Sequence, residues 1–247
     1  MIKQYLKELS GEILFWNLAT TMIGREKEII LITKLMFEKK NIIIFGQEGA
    51  GKTSIIQEVM NRVGIDRILY SPQSRTLKEA LISLVSSDSG VHENINEKNI
   101  LALRKALYPI LDQKPDYIIF DHIDRVEPKY YSFFEYLIER EPPLIIIAKG
   151  IDKKNIGHLR LVLHNFEKVE ISNFDRLRSD VLVDRYVNEF NIKVAQLDNL
   201  KKGVFHFSKG NPKITRQLCS LAKDTKYQKK GFVDVKLMDL DRRIDYK

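Results

Sequence analysis

One short segment constrains the fold of this chain more than any other feature. It reads Gly46-Gln47-Glu48-Gly49-Ala50-Gly51-Lys52-Thr53 and fits the pattern G-x-x-x-x-G-K-T of a phosphate-binding loop, or P-loop. An apolar run precedes the loop at residues 41–45, and residues 55–63 follow it with apolar side chains at helical spacing. Strand, glycine loop and helix form the context that this motif requires, so the sequence predicts an α/β fold of the P-loop NTPase type.

The chemistry of the loop follows from its residue types. Glycines let the chain turn so that successive N–H groups face one phosphate, and the helix that begins near Lys52 adds partial positive charge. Lys52 is expected to reach the β- and γ-phosphates, and the Thr53 hydroxyl to ligate Mg²⁺. The predicted cofactors are therefore ATP or ADP with Mg²⁺. The predicted nucleotide-binding residues of this segment are Gly46, Gln47, Glu48, Gly49, Ala50, Gly51, Lys52, Thr53 and Ser54.

A second motif combines an apolar strand with acids at its end. The run at residues 117–120 is followed by Asp121, His122 and Asp124. A carboxylate at the carboxyl edge of a strand, beside a P-loop, can hold Mg²⁺ through its water shell. Asp121 therefore joins Thr53 as a predicted metal ligand. The alternative is an aspartate that only caps the end of an edge strand.

Strand and helix patterns alternate along the first part of the chain. This alternation favours a parallel sheet with helices on both faces, and the apolar runs near 42–45 and 144–147 suit strands that are buried on both sides. A polar, turn-rich stretch from Ser86 to about Asn96 is predicted to be a mobile loop between helices. The five predicted strands are residues 41–45, 66–70, 116–120, 143–148 and 167–171.

From about Phe174 onward the pattern is all-helical. Its first helix carries an apolar face that includes Leu177 and Val181, and Asn211-Pro212 has the form of a helix start, with Asn as N-cap and Pro at the first position. The sequence therefore predicts an α/β base over residues 1–172, followed by a small helical lid over residues 173–247.

The composition indicates which kinds of partner and which cellular compartment suit this chain. The 247 residues carry a formal net charge of +8 with a pI near 9.3, which favours acidic partners such as nucleic acid. A lysine-rich surface of the thermophilic kind is the alternative. Cys219 is the only cysteine, so no intrachain disulfide can form, and a reducing compartment fits. The N-terminus lacks a signal-peptide pattern and no long uncharged apolar stretch occurs, so we expect a cytoplasmic protein without a membrane partner.

Taken together, these residues resemble the AAA+ ATPases, most closely the branch of replication initiators, archaeal-type ATPases and transposition ATPases. The segment Met22–Ile29 resembles the family's h-G-R-E-x-E, which packs near the adenine, and Gly210–Lys213 resembles the G-N-P-R that opens the sensor-2 helix of the lid. Leu144–Lys149 stands where the sensor-1 strand belongs. The resemblance implies a five-stranded parallel sheet of order 5-1-4-3-2, with ATP between base and lid. The candidate nucleotide contacts from these segments are Ile23, Gly24, Arg25 and Pro212.

The chain departs from the family pattern at residues that carry chemistry. The family places Glu directly after the metal-binding aspartate as general base. Here His122 stands in that place, and Asp124 is a second candidate for positioning water. Lys149 replaces the usual Asn, Ser or Thr of sensor 1, and Lys213 replaces the usual Arg of sensor 2, so both are candidate contacts of the γ-phosphate. The predicted catalytic residues are Asp121, His122, Asp124, Lys149 and Lys213.

A further departure bears on assembly. Asn165 stands where the family often has an arginine finger, and Arg160 is a nearby alternative, so a standard ring is disfavoured. The leading hypothesis is an ATP-binding AAA+ protein, a slow or partner-stimulated hydrolase that acts as a nucleotide-gated switch or assembly factor. Its expected partners are double-stranded DNA and either another protein or a second copy of itself. The alternatives are a ring-forming remodeller, a regulator that binds ATP without turnover, and a kinase of small molecules.

Overall fold

The structure of this chain is a computed structural model that describes residues 22–65, 67–87, 94–229 and 232–245. The centre of the predicted mobile loop, the first residue of the predicted second strand and the N-terminal segment that lacks a signal-peptide pattern lie outside these ranges. The first half of the chain contains α1 (Glu26–Phe37), β1 (Ile42–Phe45), α2 (Lys52–Val63), β2 (Ile68–Ser71), α3 (Leu77–Ser86), α4 (Ile100–Asp112) and β3 (Tyr117–Ile123). The second half contains α5 (Pro128–Glu139), β4 (Leu144–Ala148), α6 (Lys153–Ile156), β5 (Glu167–Glu170), α7 (Arg176–Glu189), α8 (Leu197–Ser208), α9 (Pro212–Leu221), β6 (Gln228–Lys229), β7 (Phe232–Val233) and α10 (Val235–Asp245).

Within the described residues, β1 to β5 form one parallel sheet. The strand order is β2-β3-β4-β1-β5, which is the predicted order 5-1-4-3-2 read from the other edge, and confirms it. The central position of β1 places the P-loop, which leaves its carboxyl end, between β4 on one side and β5 on the other. The residues of β1 and β4 are apolar and almost wholly buried, because helices cover both faces of the sheet.

The third strand is longer than its pattern indicates. The apolar run ends at Phe120, but β3 continues to Ile123 and its pairing with β4 shifts register between these two residues. His122, inside the shifted stretch, adopts a left-handed φ of 56°. A bulge of this kind re-aims side chains at the end of a strand, and here it lies at the predicted metal aspartate.

The chain divides into two compact units, each described by itself. The sheet unit comprises residues 28–47 and 52–171, and the helical unit comprises residues 22–27, Glu48–Gly51 and 172–245. Four central residues of the P-loop therefore belong to the helical unit. The division of the chain into a base over residues 1–172 and a lid over residues 173–247 stays a prediction.

The helical unit has a small core of its own. Its structure differs from two of the predictions made from the sequence. Leu177 and Val181 are 79% and 49% exposed, because α7 buries the stripe of Ser179, Leu182 and Val183 instead. Two residues along a helix of 3.6 residues per turn amount to more than half a turn, so Leu177 and Val181 point away from that stripe. The segment is also not all-helical, since β6 and β7 pair as an antiparallel hairpin.

No helix within the described residues is both long and apolar enough to cross a membrane.

Candidate nucleotide-binding site

The first part of the site is the junction of the P-loop with α2. The helix begins at Lys52, as the motif predicts, and its first N–H groups have no intrahelical partner. The Lys52 ammonium donates to the carbonyl oxygens of Gly46, at 2.6 Å, and Gln47, at 2.9 Å. The cation therefore lies over the start of the loop, while Ser54, the third residue of the helix, is exposed.

The second part joins this helix to the end of β3. The Thr53 hydroxyl donates to Oδ2 of Asp121 at 2.7 Å, so the two predicted metal ligands are in direct contact. Asp121 is 1% exposed, and its other oxygen, Oδ1, accepts the backbone N–H of His122 at 2.7 Å. A carboxylate this deeply buried is stabilised by such donors, because it has exchanged water for them.

These residues fit a magnesium ion. Mg²⁺ prefers hard oxygen ligands and is usually held by one or two protein oxygens together with water and phosphate. The Thr53 hydroxyl and the Asp121 carboxylate supply two such oxygens 2.7 Å apart, beside a loop of phosphate-binding sequence. Among the residues that the structure describes, no cluster of three or more His, Cys, Asp or Glu side chains offers an all-protein metal cage.

Tyr70 is a site residue that the sequence did not predict. Its hydroxyl donates to Oδ2 of Asp121 at 3.2 Å, from the end of β2, the strand next to β3. Burial, reinforced by the negative charge of Asp121, raises the pKa of Tyr70 well above its usual value. The phenol therefore stays protonated and donates its hydrogen. A tyrosine near the carboxyl end of a strand that neighbours an acidic strand end is the signal that could have indicated it.

His122 occupies the position where the family has its general base. Its side chain is 54% exposed, and Nδ1 lies 3.1 Å from the carbonyl oxygen of Pro72 and 3.3 Å from Oδ1 of Asp121. Both neighbours are acceptors, so the geometry assigns the hydrogen of the neutral ring to Nδ1. Nε2 then carries the lone pair that could accept a proton from water.

The other predicted catalytic residues of the sheet unit lie at strand ends. The Asp124 side chain accepts the N–H of Arg125 at 2.8 Å, a local turn contact, and is exposed. Lys149 directly follows β4 and is exposed. Arg160 is exposed in a 3₁₀ segment before β5. The structure therefore joins Thr53, Asp121 and His122 by direct hydrogen bonds, and the roles of Asp124 and Lys149 stay predictions.

In the helical unit, the start of α9 contacts the centre of the P-loop. The Asn211 side-chain amide donates to the carbonyl oxygen of Glu48 at 2.8 Å, and the Lys213 N–H donates to that of Gly49 at 3.2 Å. Asn211 also accepts the N–H of Ile214, so it is the predicted N-cap, and Pro212 is at the first helical position. The ammonium of Lys213 lies 3.4 Å from Glu48 Oε1, and both side chains are exposed.

Arg25 supports the same segment. Its guanidinium is buried, with Nη2 donating to the carbonyl oxygens of Ala50, at 2.9 Å, and Ser172, at 2.6 Å, and its plane lies 4.2 Å from the ring centre of Phe174. Gly24, beside it, packs against Phe174, and Ile23 is half-buried. The residue predicted to lie near adenine thus holds the backbone of the loop.

Solved structures share this architecture at low sequence identity. The Orc1 protein of Aeropyrum pernix, solved in complex with DNA, matches with a TM-score of 0.69 and 14% identity over 92% of this chain and 66% of that chain. Drosophila ORC bound to DNA matches with a TM-score of 0.61 and 12% identity over 92% and 62%. A Walker-type ATPase of Pyrococcus abyssi matches with a TM-score of 0.58 and 14% identity over 91% and 74%. This chain has the AAA+ P-loop ATPase fold.

The assignment of this fold rests on shape. No protein-family model matches the sequence, and no curated protein matches it. The chain spans 66% and 62% of the lengths of the Aeropyrum and Drosophila chains, so it corresponds to about two thirds or less of each.

Proposed function

We propose that this chain binds ATP with Mg²⁺ and acts as a nucleotide-gated AAA+ switch or assembly factor whose hydrolysis is slow or stimulated by a partner. The observation that carries the proposal is the 2.7 Å hydrogen bond between Thr53 and the buried Asp121, directly after a complete P-loop. If Thr53 and Asp121 only stabilised the fold, neither the phosphate-binding loop beside them nor the burial of the carboxylate would be needed.

Each residue has a proposed task at the phosphates. Backbone N–H groups of the loop and the start of α2 bind them, and Lys52 contributes a positive charge. Thr53 and Asp121 hold the magnesium ion, which when bound neutralises charge on the phosphate oxygens. Lys149 and Lys213 are proposed to respond to the γ-phosphate.

Hydrolysis requires that a water molecule lose a proton. His122 is the proposed acceptor, at Nε2, because its Nδ1 is turned toward two acceptor oxygens. Its ring is exposed, and a side chain that water surrounds is held less firmly than a buried one. Slow turnover that a partner accelerates by ordering this histidine is therefore the form of activity that we propose.

Double-stranded DNA is the proposed macromolecular partner, together with a protein or a second copy of the chain. The formal net charge of +8 supports an acidic partner. Two of the solved AAA+ proteins that share the fold were solved with DNA.

The test is steady-state and single-turnover ATP hydrolysis by the purified protein, with and without double-stranded DNA. Lys52→Ala is the blank. His122→Asn removes the imidazole but keeps a residue that tolerates the left-handed backbone at φ 56°. Its matched control is His164→Asn, at an exposed histidine whose Nδ1 lies 3.2 Å from the carbonyl oxygen of Leu161. We expect His122→Asn to lower the hydrolysis rate by about a hundredfold with little change in nucleotide affinity, as for loss of a general base, and His164→Asn to leave it unchanged.

The outcome of these assays distinguishes a DNA-coupled ATPase, a regulator that holds ATP and a protein that binds no nucleotide. Turnover that rises with DNA and disappears in Lys52→Ala supports a DNA-coupled ATPase. Tight ATP binding without turnover under any condition would leave a regulator that holds ATP. A wild-type protein that binds no nucleotide would overturn the proposed function altogether.

A further inference from the structure

Asn211 makes hydrogen bonds with both ends of its side-chain amide. Its Oδ1 accepts the N–H of Ile214 at 3.2 Å and so caps α9, while its Nδ2 donates to the carbonyl oxygen of Glu48 at 2.8 Å. The residue is 5% exposed. The orientation of the amide is determined by its partners, because a flipped side chain would face N–H with NH₂ and C=O with C=O.

Asn211 belongs to a row of contacts on consecutive carbonyl groups of the P-loop. The Lys213 N–H, one of the helix N-terminal donors that lack an intrahelical partner, bonds the Gly49 oxygen at 3.2 Å. Arg25 bonds the Ala50 oxygen at 2.9 Å. The carbonyl oxygens of Glu48, Gly49 and Ala50 are therefore all held by side chains or backbone of the helical unit.

This row determines where the loop directs its N–H groups. In a planar trans peptide the C=O of one residue and the N–H of the next point in opposite directions. Holding the oxygens of Glu48, Gly49 and Ala50 therefore turns the N–H groups of Gly49, Ala50 and Gly51 to the opposite side. Those N–H groups are the ones that a P-loop presents to phosphate.

The contact is close as well as directional. A Cβ atom at Gly49 would lie 2.6 Å from Asn211 Oδ1 and 2.7 Å from Lys213 Cβ. The loop backbone thus packs directly on the first turn of α9, and the sequence separation of 163 residues between Glu48 and Asn211 makes this a tertiary contact rather than a local one.

We propose that Asn211 is a positioning residue for nucleotide binding: it holds the Glu48 peptide so that the P-loop is preformed for phosphate. The inference rests on the proposed binding of ATP. Asn211 acts through the loop: its Oδ1 accepts from Ile214, and its Nδ2 donates to the Glu48 oxygen and, at 3.4 Å, to Oδ1 of Asn173.

Two substitutions separate this role from helix capping. Asp and Ser are, like Asn, strong N-cap residues. An ionised Asp has no hydrogen to donate, and Ser has one shorter hydroxyl in place of the amide's separate acceptor and donor groups, so neither reproduces the bond to the Glu48 oxygen. Asn211→Asp also adds a negative charge near the loop, and Asn211→Ser does not. The matched control is Asn99→Asp, since Asn99 caps α4 through the N–H of Ala102 at 2.9 Å in the sheet unit.

The measurement is the affinity for a fluorescent ATP analogue and for ADP, alongside thermal unfolding of each variant. We expect Asn211→Asp and Asn211→Ser to bind at least about fivefold more weakly, the effect of losing one typical hydrogen bond. Their unfolding temperatures should fall by only about 2–4 °C, as for one lost hydrogen bond, and unfolding should remain cooperative. Asn99→Asp should bind normally.

The inference fails if both Asn211 variants bind like the wild type. It also fails if only Asn211→Asp is weakened, because repulsion between charges would then explain the loss. A wild-type protein without nucleotide affinity would instead overturn the proposed function on which this inference rests.

Discussion

At the scale of single residues, the buried carboxylate of Asp121 depends on its neighbours. Its two oxygens accept hydrogen bonds from the Thr53 hydroxyl, the Tyr70 hydroxyl and the His122 N–H. Thr53 and His122 are expected from a P-loop and a strand end, whereas Tyr70 was not predicted from the sequence. Groups that orient a metal-binding carboxylate in this way affect metal affinity without touching the metal.

We predict that Tyr70→Phe weakens the binding of a divalent cation in the presence of ATP by about tenfold, because the carboxylate loses one of its orienting donors. Binding of Mn²⁺, followed by electron paramagnetic resonance, measures this directly without reference to hydrolysis. Tyr117→Phe is the matched control: that hydroxyl bonds the carbonyl oxygens of Met36 and Lys40, both at 3.1 Å. It should lower stability and leave Mn²⁺ affinity intact. Equal affinities for both variants would contradict a role for Tyr70.

At the scale of structural elements, Gly49 and Gly51 of the P-loop both have positive φ but differ in their surroundings. Gly49, with φ +79°, faces Asn211 and Lys213 at less than 3.0 Å from an added Cβ, whereas Gly51, with φ +97°, has nothing within 4 Å. Any other residue at either position has a backbone cost of about 1–2 kcal/mol.

We therefore predict that Gly49→Ala lowers the free energy of unfolding by about 1–3 kcal/mol more than Gly51→Ala, since it adds overpacking to the same backbone strain. Denaturant-induced unfolding of the nucleotide-free variants measures the difference. Equal losses would mean that α9 and the loop do not pack as closely as the structure places them.

Comparing the predicted strands and helices with the observed ones shows which elements the sequence alone could predict. The approximate positions of the five parallel strands were predicted correctly, because apolar runs without alternation and the P-loop are strong local signals. The strand order, which the resemblance to the AAA+ ATPases implied, is confirmed. The end of β3 was wrong: polar residues after Phe120 resemble the end of a strand, and the bulge at His122 has no local signature. On α7 the apolar pattern was wider than the buried stripe, so Leu177 and Val181 were misplaced.

Part of the candidate site could not be read from the sequence for a different reason. The pattern of residues 210–213 predicted a helix start with Asn211 as cap, and this is confirmed. Its bond to Glu48 joins segments far apart in the chain, and nothing local in either one encodes it. The same holds for the bond from the Arg25 guanidinium to the Ala50 carbonyl oxygen, which no local pattern encodes. The place of Arg25 near the adenine stays a prediction. Local sequence patterns identify candidate site residues, but the hydrogen bonds of these residues depend on the tertiary structure.

At the scale of the whole molecule, Cys219 offers a probe of the helical unit. It is the only cysteine of the chain, is wholly buried in the core of that unit, and burial raises the pKa of its thiol to about 12. A buried, protonated thiol does not react at neutral pH, so modification requires that the unit open.

We predict that a thiol reagent labels native Cys219 far more slowly than the denatured chain, and that ATP with Mg²⁺ slows labelling further. Four P-loop residues belong to the helical unit, so opening it should release the nucleotide. At a ligand concentration of about 100 times Kd, mass action then gives a roughly hundredfold slower rate. Lys52→Ala should lose this protection. If ATP does not change the labelling rate of the wild-type protein, the helical unit opens while the nucleotide stays bound.

The contacts of Asn211 and Lys213 with the P-loop also have a consequence for synthesis. On a ribosome the loop emerges early, whereas the start of α9 follows some 160 residues later, as the separation of 163 between Glu48 and Asn211 records. A nascent chain therefore carries the complete phosphate-binding motif long before the residues that hold its carbonyl groups exist. Unfinished chains that lack α9 should therefore bind nucleotide more weakly than finished molecules, because they lack the same contacts.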